Sequence, residues 1–213
     1  VSMGVHESQS RILENQLGRS EAFTSWLFHK FTHYFGDIGF KNSTSFYKAV
    51  NAVKNGFIRT ESDELQYNLH VLLRYRLERW LFDGDLIADD VESVWNEEFQ
   101  KDFGLVIKYP SDGVLQDVHW SEGLFGYFPT YSLGNVYAGC LFEAMQGQLP
   151  ELDQNLNSGN LTEATGWLAN SVHKHGSLYS PVDLIQRACG FDMTAKPLIS
   201  YIEKKYSSMY GLT

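Results

Sequence analysis

The sequence predicts an all-α fold, a compact multi-helix unit over residues 1–213 with one long irregular segment near 105–128. Three observations lead there. Apolar residues recur at three- and four-residue steps through most of the chain, the repeat of a helix with one buried face. Ser, Thr or Asp precedes these runs and Gly follows them, the residues that satisfy free backbone groups at helix starts and stops. One stretch alone, 105–128, is punctuated by Gly, Pro, Asp and Ser and has no helical period.

In order, Ile12, Leu13, Gln16 and Leu17 keep a helical spacing until Gly18-Arg19. Ser20 then caps a helix with Phe23, Trp26, Leu27, Phe31 and Tyr34 on one face, closed by Gly36 and Gly39. Ser43 or Thr44 caps a shorter one (Phe46, Tyr47, Val50, Val53) stopped by Asn55-Gly56. After an extended piece, Phe57–Arg59, the longest helix is expected from Ser62-Asp63 to Asp83-Gly84, with Leu65, Leu69, Leu72, Leu73, Arg76, Leu77 and Trp80 inward. Asp89 caps the next (Val91, Val94, Trp95, Phe99, Phe103), ended by Gly104. Pro129, suited to a first helical turn, opens a helix with Leu133, Val136, Tyr137, Cys140, Leu141 and Met145 inward. After a loop at Gly147–Pro150 come three helices. The first is capped by Thr162, with Ala164, Trp167, Leu168 and Val172 inward. Ser180-Pro181-Val182-Asp183 opens the second, which Gly190 ends. The third starts at Thr194, with Leu198, Ile199, Ile202 and Tyr206 packed.

Composition narrows the function classes. A length of 213 residues suffices for one sizeable domain or two small ones, and 43% hydrophobic with 20% charged residues is a folded, soluble profile. A net charge of −9 argues against a nucleic-acid partner, which calls for a basic face. No run reaches the ~20 apolar residues of a membrane span, and no signal peptide opens the chain. Two cysteines, Cys140 and Cys189, are too few for a disulfide scaffold and read as buried free thiols of a cytoplasmic protein.

Several polar clusters admit chemistry. His6-Glu7-Ser8-Gln9-Ser10-Arg11 is either a solvated helix start or the source of a metal-ligating carboxylate. His29/His33 and His173/His175 have ligand-like spacing but no third donor, and read as a solvated face and a helix C-terminus. Asp89-Asp90 reads as a helix start. Arg59, in an apolar setting ahead of Glu61 and Asp63, presents a planar fork either to a ligand carboxylate or to an acid of the chain. Gln116-Asp117-Val118-His119-Trp120 is the densest cluster: Asp-x-His can hold an imidazole in one tautomer while Trp120 excludes water, and Tyr127 and Tyr131 bring two phenols nearby.

HESQSR at 6–11, IRTESD at 58–63 and GVLQDVHW at 113–120 resemble, in the same order, three signature motifs of the thermostable carboxypeptidase Taq family of zinc metallocarboxypeptidases. NLHVLLRYRLE at 68–78, WNE at 95–97, HWSEGLFGYFPTYSLGN at 119–135 and the run Trp167–Tyr210 extend the likeness over essentially the whole chain. Ser62 stands where the family's IRxxAD has Ala, and the family's HExxH helix, upstream of HESQ, is absent. The resemblance therefore implies the C-terminal part of a zinc carboxypeptidase acting on peptides with a free C-terminus, homodimeric at full length. It implies Glu7 as the third protein ligand of zinc, with His6 and Gln9 supporting the site. It implies Arg59 on the substrate carboxylate beside Gln116 and Asp117, and His119, oriented by Asp117, on the substrate backbone or oxyanion. Tyr127 or Tyr131 would serve the tetrahedral intermediate. The two imidazole ligands and the general base are then missing, so this chain alone should be inactive and bind zinc weakly. The alternative is a non-catalytic helical module for peptide binding or dimerisation.

Overall fold

A computed structural model describes residues 2–212. The described residues contain ten α-helices and no strand. They are α1 (Met3–Arg11), α2 (Glu21–Phe35), α3 (Ser43–Val50), α4 (Tyr67–Asp83), α5 (Val91–Phe103), α6 (Pro129–Gln148), α7 (Leu152–Asn157), α8 (Thr162–Ser171), α9 (Pro181–Cys189) and α10 (Lys196–Tyr210). The segment between α5 and α6 holds a single short 3-10 turn, Pro110–Asp112, as its Gly and Pro content predicts. No helix among the described residues is long and apolar enough to cross a membrane.

Local chemistry explains most boundaries. Ser20 and Ser180 cap α2 and α9 by accepting from the backbone N–H of Phe23 and Asp183. Glycines in the left-handed region stop α4, α5 and α9 at Gly84, Gly104 and Gly190. Other boundaries differ from the sequence expectation. Asn42, not Ser43 or Thr44, caps α3, because its side chain and that of Ser45 form a reciprocal capping box. The helix ends at Val50, well before Asn55-Gly56. α4 begins at Tyr67 since Asp63 closes a turn instead, its carboxylate accepting from the Gln66 N–H. It is therefore shorter (17 residues) than α6 (20 residues). Asp90, Leu161 and Ala195 take the N-cap positions given to Asp89, Thr162 and Thr194. α7 lies between the Gly147–Pro150 loop and Thr162, a stretch to which the sequence reading assigns no element.

Among the described residues, contacts group 2–52 with 133–212, and 53–132 separately. In the first unit α1 continues as a π-helical stretch, Ile12–Gly18. Its core gathers Ile12, Leu17, Leu141, Met145, Leu168 and Ile185 among others. Cys140 and Cys189 lie there as free thiols, and burial pushes Cys189 up to about 12. In the second unit α4 and α5 pack Leu73, Leu77, Trp95, Phe99 and Phe103 together. The buried face of α4 is rotated from the expected one: Leu65, Leu69 and Leu72 are exposed, while His70, Arg74 and Glu78 are buried. Arg76 is half-exposed and bridges to Asp102 and Glu98 of α5.

Candidate active site

The second unit concentrates its polar chemistry on Asp117. This carboxylate sits between two buried guanidinium groups. Arg59 donates to it through Nη2 at 2.7 Å and Nε at 3.2 Å, and Arg74 through Nε at 2.6 Å. Arg59 is held further by the Tyr67 hydroxyl, which accepts from Nη1 at 2.9 Å, and by the Tyr131 ring, 4.7 Å away. Arg74, with no exposed surface, also donates to the His70 carbonyl and stacks over Trp95.

Charge and burial set the protonation states. Burial raises the Asp117 carboxyl, but hydrogen bonds from Arg59 and the charge of Arg74 outweigh it, leaving the group below its usual range. Burial depresses Arg59, yet the hydrogen bond to Asp117 more than restores it. Burial lowers Arg74 to about 10 and, together with the two arginine charges, His70 to about 3. Two cations against one carboxylate leave this buried triad with one net positive charge.

His119 lies beside it, its ring tilted against Phe128 with centroids 4.3 Å apart, and its Nε2 is 3.0 Å from the Tyr131 hydroxyl. The hydrogen bond expected from Asp-x-His is not made: Nδ1 is 3.8 Å from Asp117 and has no hydrogen-bond partner, because both arginines take the carboxylate. Burial lowers its pKa, so the imidazole is neutral at pH 7. Tyr127 packs at 5.4 Å from the same ring. Gln116 braces the backbone: its Oε1 accepts from the Arg59 N–H, and its amide donates to the carbonyls of Phe57 and Asp112. The irregular segment is pinned by Glu78, which accepts from Trp120 Nε1 at 2.7 Å and from the Gly126 N–H at 3.0 Å.

In the first unit Glu7 lies on α1 with Oε1 paired to Arg11 at 2.8 Å. A Cβ on Gly134 would fall 2.6 Å from the Glu7 side chain, so this glycine lets α6 pass close to the carboxylate. His6 is exposed. Gln9 is tied to Ser8 and, through Oε1 at 2.9 Å, to His173 Nε2. Among the described residues no group of three His, Cys, Asp or Glu side chains is placed to hold a metal ion. Glu7 is one donor, which does not make a site. His29 and His33 are exposed, as a solvated face requires.

Arg74, Glu78 and His70 are the residues that sequence reading overlooks. Their i, i+4, i+8 spacing on α4 is the signal: a polar stripe at helical period, beside the apolar one, marks a face turned toward buried partners.

Helices throughout, and a buried triad of two arginines and one aspartate walled by aromatic rings, define an all-α protein with a cationic polar cluster. Residues 1–206 match the family described as carboxypeptidase Taq (M32) metallopeptidase, and the chain belongs to that family. It is 43% identical to thermostable carboxypeptidase 1 of Thermus thermophilus, covering 99% of this chain and 41% of that protein. It is 40% identical to carboxypeptidase 1 of Bacillus subtilis, covering 100% and 42%. The M32 carboxypeptidase structure from Deinococcus radiodurans matches with a TM-score of 0.96 at 39% identity, over 100% of this chain and 43% of that one. The chain thus spans about two fifths of the length of the curated relatives it matches.

Proposed function

We propose that this chain supplies the substrate-gripping half of a metallocarboxypeptidase that hydrolyses the C-terminal peptide bond of peptides with a free C-terminus. The observation carrying this reading is the Arg59–Asp117–Arg74 triad. Its unbalanced positive charge, on a guanidinium that retains N–H donors beyond those given to Asp117 and Tyr67, suits a substrate carboxylate. Arg59 takes that carboxylate, and Asp117 holds Arg59 in place. Gln116 fixes the backbone that carries it. Neutral His119 and the Tyr131 hydroxyl it holds, with Tyr127 alongside, hydrogen-bond the oxygen that gains charge at the scissile carbonyl.

Zinc is the proposed metal and Glu7 its donor from this chain, supported by His6 and Gln9. The other ligands and the general base, in an HExxH helix, are assigned to sequence outside these 213 residues. The chain alone is then without hydrolytic activity. A cytoplasmic location suits its two buried free thiols. The test is Arg59→Ala in a protein of the relatives' full length. Losing a charge-assisted clamp should lower kcat/KM by ~100-fold or more on free-acid peptides, with little change on C-terminally amidated ones. Equal losses on both would remove Arg59 from that role.

A further inference from the structure

The second unit holds a cavity of about 10 Å³, room for one particle the size of a water molecule. Arg74, Trp95, Val114, Asp117, Trp120 and Phe128 line it. Two polar groups of this wall are unused, and both are donors. Trp95, 1% exposed, has an indole N–H with no hydrogen-bond partner among the described residues. Arg74, 0% exposed, spends Nε on Asp117 and Nη1 on the His70 carbonyl. Its Nη2 lies 2.6 Å from the same Asp117 oxygen but is not aligned for a hydrogen bond, so its N–H groups are unpaired as well. Donors buried in that state are costly, most of all on a charged group. The acceptor that satisfies them enters a surplus of positive charge, Arg59 and Arg74 against Asp117. A neutral water would leave that surplus in place, beside the apolar surfaces of Val114, Trp120 and Phe128.

We propose that this cavity binds a monatomic anion, chloride, held by Arg74 Nη2 and Trp95 Nε1. Chloride accepts hydrogen bonds from any direction and needs no acceptor in return, which suits a wall whose unused groups are donors. Its charge offsets the surplus of the two guanidinium groups, whereas phosphate, sulfate and carboxylates exceed the space. Asp117 in the wall opposes the anion, and the two cations outweigh it. The proposal goes beyond the peptidase reading and does not depend on it. Where Arg59 also binds a substrate carboxylate, the two anions share one surplus charge, and each weakens the other's binding.

A crystal of the 213-residue chain soaked in sodium bromide tests it. An anomalous-scattering peak is expected in the cavity, within hydrogen-bonding distance of Nη2 and Nε1. In solution, the chain exchanged into sodium gluconate should broaden the chloride nuclear magnetic resonance line saturably. Bromide should reverse that broadening, and sulfate should not. At fixed ionic strength the Tm should rise by ~3–6 °C once chloride reaches about ten times its Kd. Trp95→Phe keeps an aromatic ring, loses the N–H and should weaken chloride binding at least tenfold. Should that variant lose its helical circular dichroism, the bromide peak and the parent titration decide the matter. A water without anomalous signal in the soaked cavity, broadening that does not saturate, displacement by sulfate, or undiminished chloride affinity in folded Trp95→Phe would overturn the proposal.

Discussion

Asp117→Asn is the substitution that most directly tests how the second unit is held together. The carboxylate is nearly buried, with a side-chain exposure of 10%, between Arg59 at 6% and Arg74 at 0%. Asparagine keeps the shape and removes the charge, leaving two buried cations facing each other without an acid. Breaking a buried pair from one side costs ~3–5 kcal/mol. At ~2–4 °C per kcal/mol for a chain of this size, the Tm should fall by ~6–20 °C. Near-ultraviolet circular dichroism is a suitable readout, because Trp95 lies against Arg74. The gap between variant and parent should also depend on acid. The native carboxyl is held below its ordinary range, so its stabilisation is complete above the unfolded pKa of ~3.9 and is lost as pH falls through the native value. The two proteins should therefore converge below about pH 4. A loss under ~1 kcal/mol at pH 7, or a gap that stays constant into strong acid, would refute the triad as a determinant of stability.

Other substitutions probe the remaining contacts. Gly134→Ala should cost ~1–3 kcal/mol in urea titrations, since the added methyl would overlap Glu7 and force α1 or α6 to yield. Glu78→Ala orphans the part-buried Trp120 indole N–H, at ~1–3 kcal/mol, releases the exposed Gly126 N–H to water, and should speed hydrogen exchange across residues 118–128. His70, lowered to about 3, stays neutral in the native state while the unfolded chain takes up a proton below ~6.5. Stability should thus decline as pH falls from ~6.5 toward 3, and His70→Leu should flatten that decline, measured by urea unfolding at pH 7 and pH 5. Because burial also lowers His119, part of the slope should persist.

How much of this was legible in the sequence depended on whether a residue's partners were local. The caps at Ser20 and Ser180 and the stops at Gly84, Gly104 and Gly190 act within one turn and were readable. The start of α4 was not, since whether Asp63 caps a helix or closes a turn depends on three residues of backbone geometry that composition leaves open. At the candidate site, Arg59, Asp117 and His119 stood out by type and crowding. Their pairing did not: Asp117 answers to Arg59 and Arg74, 58 and 43 residues away in sequence, and not to His119 two residues on. An apolar count assigns the α4 face to leucines, whereas the Arg74–Asp117 ion pair, the Glu78 bonds to the Trp120 and Gly126 N–H groups and the packing of His70 on Phe99 and Phe103 hold His70, Arg74 and Glu78 inward.

As proposed, this chain contributes one part of a metal-dependent exopeptidase. Peptide hydrolysis measured with and without a chelator, on the 213-residue chain and on a protein of the relatives' full length, addresses it directly. The longer protein should release C-terminal residues from free-acid peptides, lose that activity to the chelator and regain it with zinc, while the shorter chain releases none. Chelator-insensitive release by the longer protein, or release by these 213 residues alone, would rule out that role for the chain.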